Sequence, residues 1–339
     1  MKEKYWRYSL IVIILLMGVI IFRQITPFMG GLLGALTIYI LVRGQMGYLL
    51  NKKNMKRGIA ALLIIVETIL VFLVPVGLTV WLLVDLLKNI NLDPQTFIGP
   101  IQQTAEAIKT KTGYDVLGND TLSFLISLAP RIGQIIMGSI SSLAINLFVM
   151  IFILYFMLMG GRKMEAYIGD ILPFNDKNTQ EVTNEIFMIV RSNAIGIPLL
   201  AVIQGGVAMI GYLIFGAPNI WLLGFFTCFA TIIPMVGTAL VWIPVSVYFA
   251  LTGDWFNAIG LFAYGAIVIS QSDNLIRFIL QKKMADIHPL ITIFGVVIGL
   301  PIFGFMGVIF GPLLLSLFFL LVDMFKKEYL DSRNKLLLK

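Results

Sequence analysis

The chain contains almost no cysteine, almost no histidine and little charge. Its 339 residues include one of each, Cys228 and His288. A lone cysteine inside an apolar run excludes an intrachain disulfide framework and a thiolate metal site. A lone histidine removes His-pair metal motifs and leaves Ser270 and Ser272 without a suitably placed base for a serine hydrolase. No G-x-x-x-x-G-K-[ST] loop is present to cradle ATP, and no His-Glu-x-x-His pair to hold a catalytic zinc. The expectation is a non-enzyme with no cofactor and no metal. Charged residues are 13% and hydrophobic ones 59%, with mean hydropathy +0.94. Soluble domains are about a quarter charged and about half apolar.

What fills the space is a series of long apolar runs. They cover 9–22, 26–42, 59–83, 135–159 and 186–215, and then two 34-residue segments, 219–252 and 289–322. Runs of this length fit a hydrocarbon core about 30 Å thick. The fold class expected is all-α and polytopic, with about eight spans or span-like segments. Residues 1–84 form N-terminal transmembrane helices and 135–339 a transmembrane core. Between them, 85–134 changes composition: Asn91-Leu92-Asp93-Pro94 reads as a turn, 95–111 has helical spacing, and Gly113 and Gly118 break it. This stretch is expected to be a small extracytoplasmic helical domain.

The net charge of +7 does not point to nucleic acid, because Lys and Arg sit at the ends of spans. They cluster at the N-terminus, at 43–57, at 162–177, at Lys282-Lys283 and in the C-terminal tail. One path puts all five clusters in the cytoplasm, with both termini inside and only Lys88, Lys109, Lys111 and Arg131 outside. The basic start followed by an apolar run has the outline of a signal peptide. It lacks a small-residue cleavage site and runs on into a second apolar run, so it is expected to be retained.

Each 34-residue segment is interrupted near its middle, by Pro234-x-x-Gly237 in the first and Pro301-x-x-Gly304 in the second. At 1.5 Å per residue such a segment makes about 51 Å of helix, too long for one span. Each is a tight pair of spans or a re-entrant hairpin whose tip reaches mid-membrane. On the charge-derived path the two have opposite senses, and inverted hairpins meeting near the midplane are a transporter device. The alternative is that Pro and Gly merely kink ordinary spans, with glycine serving close helix packing.

Between the segments runs a helix, 256–280, carrying Asp273, Asn274 and Arg277. Asp273 and Arg277 are four apart and can pair on one face. Ionisable groups within a span are costly and face the protein interior or a water-filled path. They make either a solute or ion site, with Pro234, Gly237, Pro301 and Gly304 at the tips, or a neutral internal pair holding the hairpins in register. Thr231 and Thr238 flank the first tip. Glu67, Arg191, Asn193, Gln204 and His288 are weaker candidates; for His288 a capping role outweighs a pH-sensing one.

These motifs resemble the autoinducer-2 exporter family of bacterial permeases. The resemblance is carried by Ile233-Pro234-Met235-Val236-Gly237, Asp273-Asn274-Leu275-Ile276-Arg277, His288-Pro289-Leu290 and the run from Leu300-Pro301 to Gly311-Pro312-Leu313, with Ile25-Thr26-Pro27-Phe28 near the start. Two departures stand out: Phe278, and Arg43-Gly44, occupy positions where members often carry proline. The resemblance implies a bacterial inner-membrane transporter, assembled as a homo-oligomer, with a pentamer suspected. Roles within the family vary. The expectations are export of a small polar solute of autoinducer-2 type by alternating access, or sodium (lithium)/proton antiport; a non-transporting membrane scaffold is the third reading. The partners expected are the lipid bilayer, a small polar solute or ion, and further copies of the chain.

Overall fold

A computed structural model describes residues 2–74, 77, 119–171, 174–234, 236–284 and 288–326. All regular structure among the described residues is helical. Helix α1 is Lys2–Ile25, α2 Met29–Asn51, α3 Arg57–Thr68, α4 Asn119–Ile171, α5 Asp176–Ile214, α6 Ile220–Ala230 and α7 Ala239–Leu251. Then follow α8 Trp255–Tyr264, a wide five-residue turn Gly265–Ile269, α9 Ser270–Met284, α10 Pro289–Phe303 and α11 Gly307–Phe325. Five stretches are long and apolar enough to cross a membrane, and α6 and α7 are shorter apolar helices. The molecule is an all-α, multi-pass membrane protein.

The expected helical domain at 85–134 lies outside the described residues up to 118. From Asn119 the backbone is one helix, α4, interrupted only at Gly161, where φ is +28° and ψ −107°. The basic pair Lys282-Lys283 falls in the last turn of α9.

Local sequence sets the helix ends. Asn175 caps α5 by accepting from Asn178 N–H at 2.8 Å, and Asp254 caps α8 by accepting from Asn257 N–H at 3.2 Å. His288 Nδ1 accepts from Leu290 N–H at 3.3 Å, and Pro289 occupies the first turn of α10, where its missing N–H costs nothing.

The chain divides into two compact units. Unit 1 is Met1–Leu32 with Gln45–Met159. Its helix α1 is exposed all along Tyr8, Leu10–Met17 and Val19–Phe22, as suits a helix bathed in lipid. The break between α1 and α2 is a short 3-10 turn at Thr26–Phe28 with Pro27 in its first positions. Asn146 of α4 fastens this break: its Oδ1 accepts from Gly31 N–H at 2.7 Å and its Nδ2 donates to Pro27 O at 3.1 Å. Gly31 admits the contact, since a Cβ there would stand 2.5 Å from Asn146 O. Asn146→Leu leaves a donor and an acceptor unpaired away from water, at about 1–3 kcal/mol. The variant is expected to unfold at a lower temperature than wild type in detergent; an unchanged midpoint would show that the turn holds itself.

Unit 2 is Leu33–Gly44 with Gly160–Lys339. Its helices lock by placing large side chains on glycines. A Cβ at Gly211 would meet the Tyr264 ring at 2.4 Å, one at Gly260 the Phe215 ring at 2.3 Å, and one at Gly224 Met209 Cγ at 2.2 Å. These contacts join α5 to α6 and α8 around a core of Ala208, Tyr212, Trp242, Phe249, Leu261 and Ile269. Tyr39 donates to Glu165 at 2.8 Å, and Arg43 pairs with the same carboxylate at 3.4 Å while lying over Phe187.

Both 34-residue segments are helical hairpins, built differently. In the first, α6 and α7 have 11 and 13 residues, about 17 and 20 Å each, so neither arm alone crosses a 30 Å core. In the second, α10 and α11 lie backbone to backbone. Gly299 faces Gly307 and Gly295 faces Gly311, each small enough for the other's main chain. The chain reverses at Gly304, with φ +59° and ψ −142°, a region open essentially to glycine alone. Pro301 lies inside α10, three residues before the break.

Candidate functional site

Asp273 and Arg277 sit one turn apart on α9, and the pair forms as their spacing suggests. Arg277 Nε donates to Asp273 Oδ2 at 3.1 Å, with the two side chains 16% and 6% exposed. The second arm of the guanidinium, Nη2, donates to the main-chain carbonyl of Thr231. That carbonyl lies just past the last turn of α6, which ends at Ala230. The first break therefore supplies an acceptor, and the polar helix supplies the donor that fills it.

The described residues of the tip, 231–234 and 236–238, are held by short-range contacts. Thr231 Oγ1 donates back to Thr227 O at 2.8 Å, and Thr227 Oγ1 lies 3.1 Å from the Tyr212 hydroxyl. Gly237 is buried, and a Cβ there would stand 1.7 Å from Ala230 O, so only glycine closes this turn. Pro234 is buried in the same turn. One turn before Arg277, Ser272 pairs with Gln204 of α5, amide nitrogen to hydroxyl, at 3.3 Å. Gln204 is fully buried. Gln204, a weaker candidate in the sequence, bonds between helices.

Two buried side-chain atoms have no partner among the described residues, Trp242 Nε1 and Asp273 Oδ1. Asp273 Oδ1 is buried and accepts no hydrogen bond among the described residues. A bare carboxylate oxygen in a low-dielectric interior is costly, and a donor to Asp273 Oδ1 would offset that cost. No cluster of three or more His, Cys, Asp or Glu fit to hold a metal occurs among the described residues.

The remaining candidates lie apart from this pair. Asn274 is exposed on another side of α9. Pro301 and Gly304 are exposed at the reversal of the second hairpin, and no hydrogen bond among the described residues joins them to Asp273 or Arg277. The second hairpin is tied to α5 instead, through Asn193 Nδ2 to Ile309 O at 3.3 Å and the Ser316 hydroxyl to Glu185 at 3.2 Å. Glu67 accepts from Gln45 on an exposed face of unit 1. Two features escaped the sequence reading: the Thr231 carbonyl as the anchor of Arg277, and the wide turn that precedes α9. Neither involves an unusual side chain, and the only trace was Gly265 inside an apolar run.

Comparison with known proteins bears on the whole chain. A protein from Treponema pallidum is 30% identical over 192 residues, 56% of this chain and 47% of that protein. One from Aquifex aeolicus is 28% identical over 187 residues, 55% of this chain and 53% of that protein. One from Helicobacter pylori is 25% identical over 221 residues, 62% of each. All three carry the name "Putative transport protein". The chain spans about half the length of the first two. A family model described as AI-2E family transporter matches residues 10–327. A match over that much of its length makes this chain a member of the AI-2E transporter family.

Proposed function

We propose that the protein is a multispanning permease that exports a small polar solute of autoinducer-2 type by alternating access around α9. Asp273 binds the solute, Arg277 holds Asp273 in place and reads the state of the first hairpin through the Thr231 carbonyl, and the two hairpins gate opposite sides of the bilayer. The observation that carries this reading is the buried Asp273 Oδ1, which accepts no hydrogen bond from the described residues and lies beside a cation already neutralised. A neutral ion pair with one acceptor to spare suits a hydroxyl donor. A hard cation gathers several oxygens, and Asp273 Oδ1 is the one buried side-chain oxygen without a partner among the described residues. Both termini in the cytoplasm of a bacterial inner membrane, and assembly into a homo-oligomer, pentameric by family likeness, belong to the same proposal.

The test uses everted vesicles from cells making the protein, with either a furanosyl polyol or a sodium or lithium gradient read by a pH-sensitive dye. Protein-dependent accumulation of the polyol without a cation-driven pH change supports the reading. A cation-driven pH change without polyol movement replaces it with antiport, and neither signal leaves the scaffold reading.

A further inference from the structure

The helix that carries the site is not regular. Between α8 and α9 the backbone widens at Gly265–Ile269, and Ser270 N–H reaches back five residues to Gly265 O. A wide turn holds one residue more than a helical turn, and that extra residue rotates everything after it. The buried positions follow this shift: Ala258, Leu261, Gly265, Ile269 and Asp273 all lie inward. In an unbroken α-helix Asp273 would stand about 120° around the axis from Leu261; with one residue absorbed in the wide turn it stands at about 20°. The turn is what brings the carboxylate to the buried face.

Two side chains hold it. The Trp242 indole of α7 lies where Gly265 lacks a Cβ: an atom there would be 2.4 Å from Trp242 Cδ2. Trp242 is 4% exposed and packs edge-on against Phe262 at 5.3 Å. The Ser270 hydroxyl donates to Gly265 O at 3.0 Å, adding a second donor to the carbonyl that the wide turn uses.

We propose that Gly265, Trp242 and Ser270 form a register clamp, and that Trp242 and Ser270 are positioning residues that fix which side of α9 presents Asp273 and Arg277. The role given to that pair rests on the permease reading above; the clamp itself does not. Trp242 belongs to the first hairpin, so the hairpin grips the polar helix twice, by Trp242 on Gly265 and by the Thr231 carbonyl on Arg277.

Register is read by thiol labelling, independently of transport. In a Cys228→Ser background, full-length protein carrying Asp273→Cys or Asn274→Cys is purified in detergent and reacted with N-ethylmaleimide. Position 273 is expected to label at least about tenfold more slowly than 274, a protection equivalent to a local opening cost. One alanine inserted between Ile267 and Val268 rotates α9 by about 100°, which puts 273 in the exposed place of 274 and 274 in that of Leu275, and should bring the two rates together. Deleting Ile267, an exposed residue of the turn, turns the wide turn into a regular one and should keep the order. Ser270→Ala and Trp242→Phe should bring the two rates within about threefold, and Ser270→Thr should restore the contrast. Variants are compared only where they elute as the same species as wild type. The clamp is refuted if the insertion leaves 273 protected, or if Ser270→Ala and Trp242→Phe both keep the full contrast. If labelling behaves as expected while the insertion variant still transports at the wild-type rate, the clamp stands and the permease site is lost.

Discussion

Asp273→Asn is expected to stop transport and also to weaken the protein, and the two effects are separable. Asparagine leaves the Arg277 guanidinium buried without its counter-charge, and breaking a buried pair from one side costs about 3–5 kcal/mol. A loss of flux in this variant alone would therefore not distinguish a binding site from a structural pair. Asp273→Asn combined with Arg277→Met removes both charges and keeps most of the volume. Removing both charges spares the cost of an unpaired buried ion. The double variant is thus expected to recover part of the midpoint that Asp273→Asn loses, short of wild type because the Thr231 carbonyl has lost its donor, while its flux stays at least about a hundredfold down, the size expected when a buried polar contact to the solute is lost. Wild-type flux from the neutral double variant, measured in liposomes at equal protein, would reduce Asp273 and Arg277 to a structural pair.

The second large effect is expected in the other hairpin. Gly307→Ala and Gly311→Ala each place a methyl group on a main-chain atom of the facing helix: 2.0 Å from Gly299 O and 1.9 Å from Gly295 O. No side chain can rotate away, so α10 and α11 must separate along their whole crossing. Overpacking of this kind costs about 3 kcal/mol, and lipid supplies no hydrophobic force to drive the helices back together. Both variants are expected to give little folded protein on size exclusion and a sharply lower thermal midpoint. Gly18→Ala on α1, where a Cβ meets nothing within 4 Å, is the control and should match wild type. Normal behaviour of both hairpin variants would mean that the glycine contacts do not hold the hairpin.

These contrasts bear on how much the sequence reveals. Apolar run length was enough for the long apolar helices among the described residues, because lipid forces every backbone group to be satisfied within a helix; the run 59–83 lies partly outside the described residues. Pro234 and Gly237 marked the first break, since a turn that admits no Cβ must carry glycine. The i, i+4 spacing of Asp273 and Arg277 was enough for their pairing. The second break lay three residues beyond its proline, because a proline near the end of a helix can be accommodated and the reversal needs the positive φ of Gly304. The wide turn at Gly265 was not legible: its cause is an indole from another helix, and no pattern within α8 or α9 encodes that contact. The Thr231 carbonyl was hidden for a related reason, being a backbone group just past the last turn of α6. Gly299, Gly307 and Gly311 were visible as glycines, and their role as close contacts appears only once the two arms are side by side.

The central claim is that solute donates to Asp273 Oδ1. Thermal unfolding of purified protein, with and without saturating furanosyl polyol, tests it most directly. A ligand that binds only the folded state, present at a hundred times its dissociation constant, adds about 2.7 kcal/mol of stability. The account predicts a rise in the midpoint of wild type and none in the Asp273→Asn/Arg277→Met variant. An equal rise in both proteins would place the solute elsewhere.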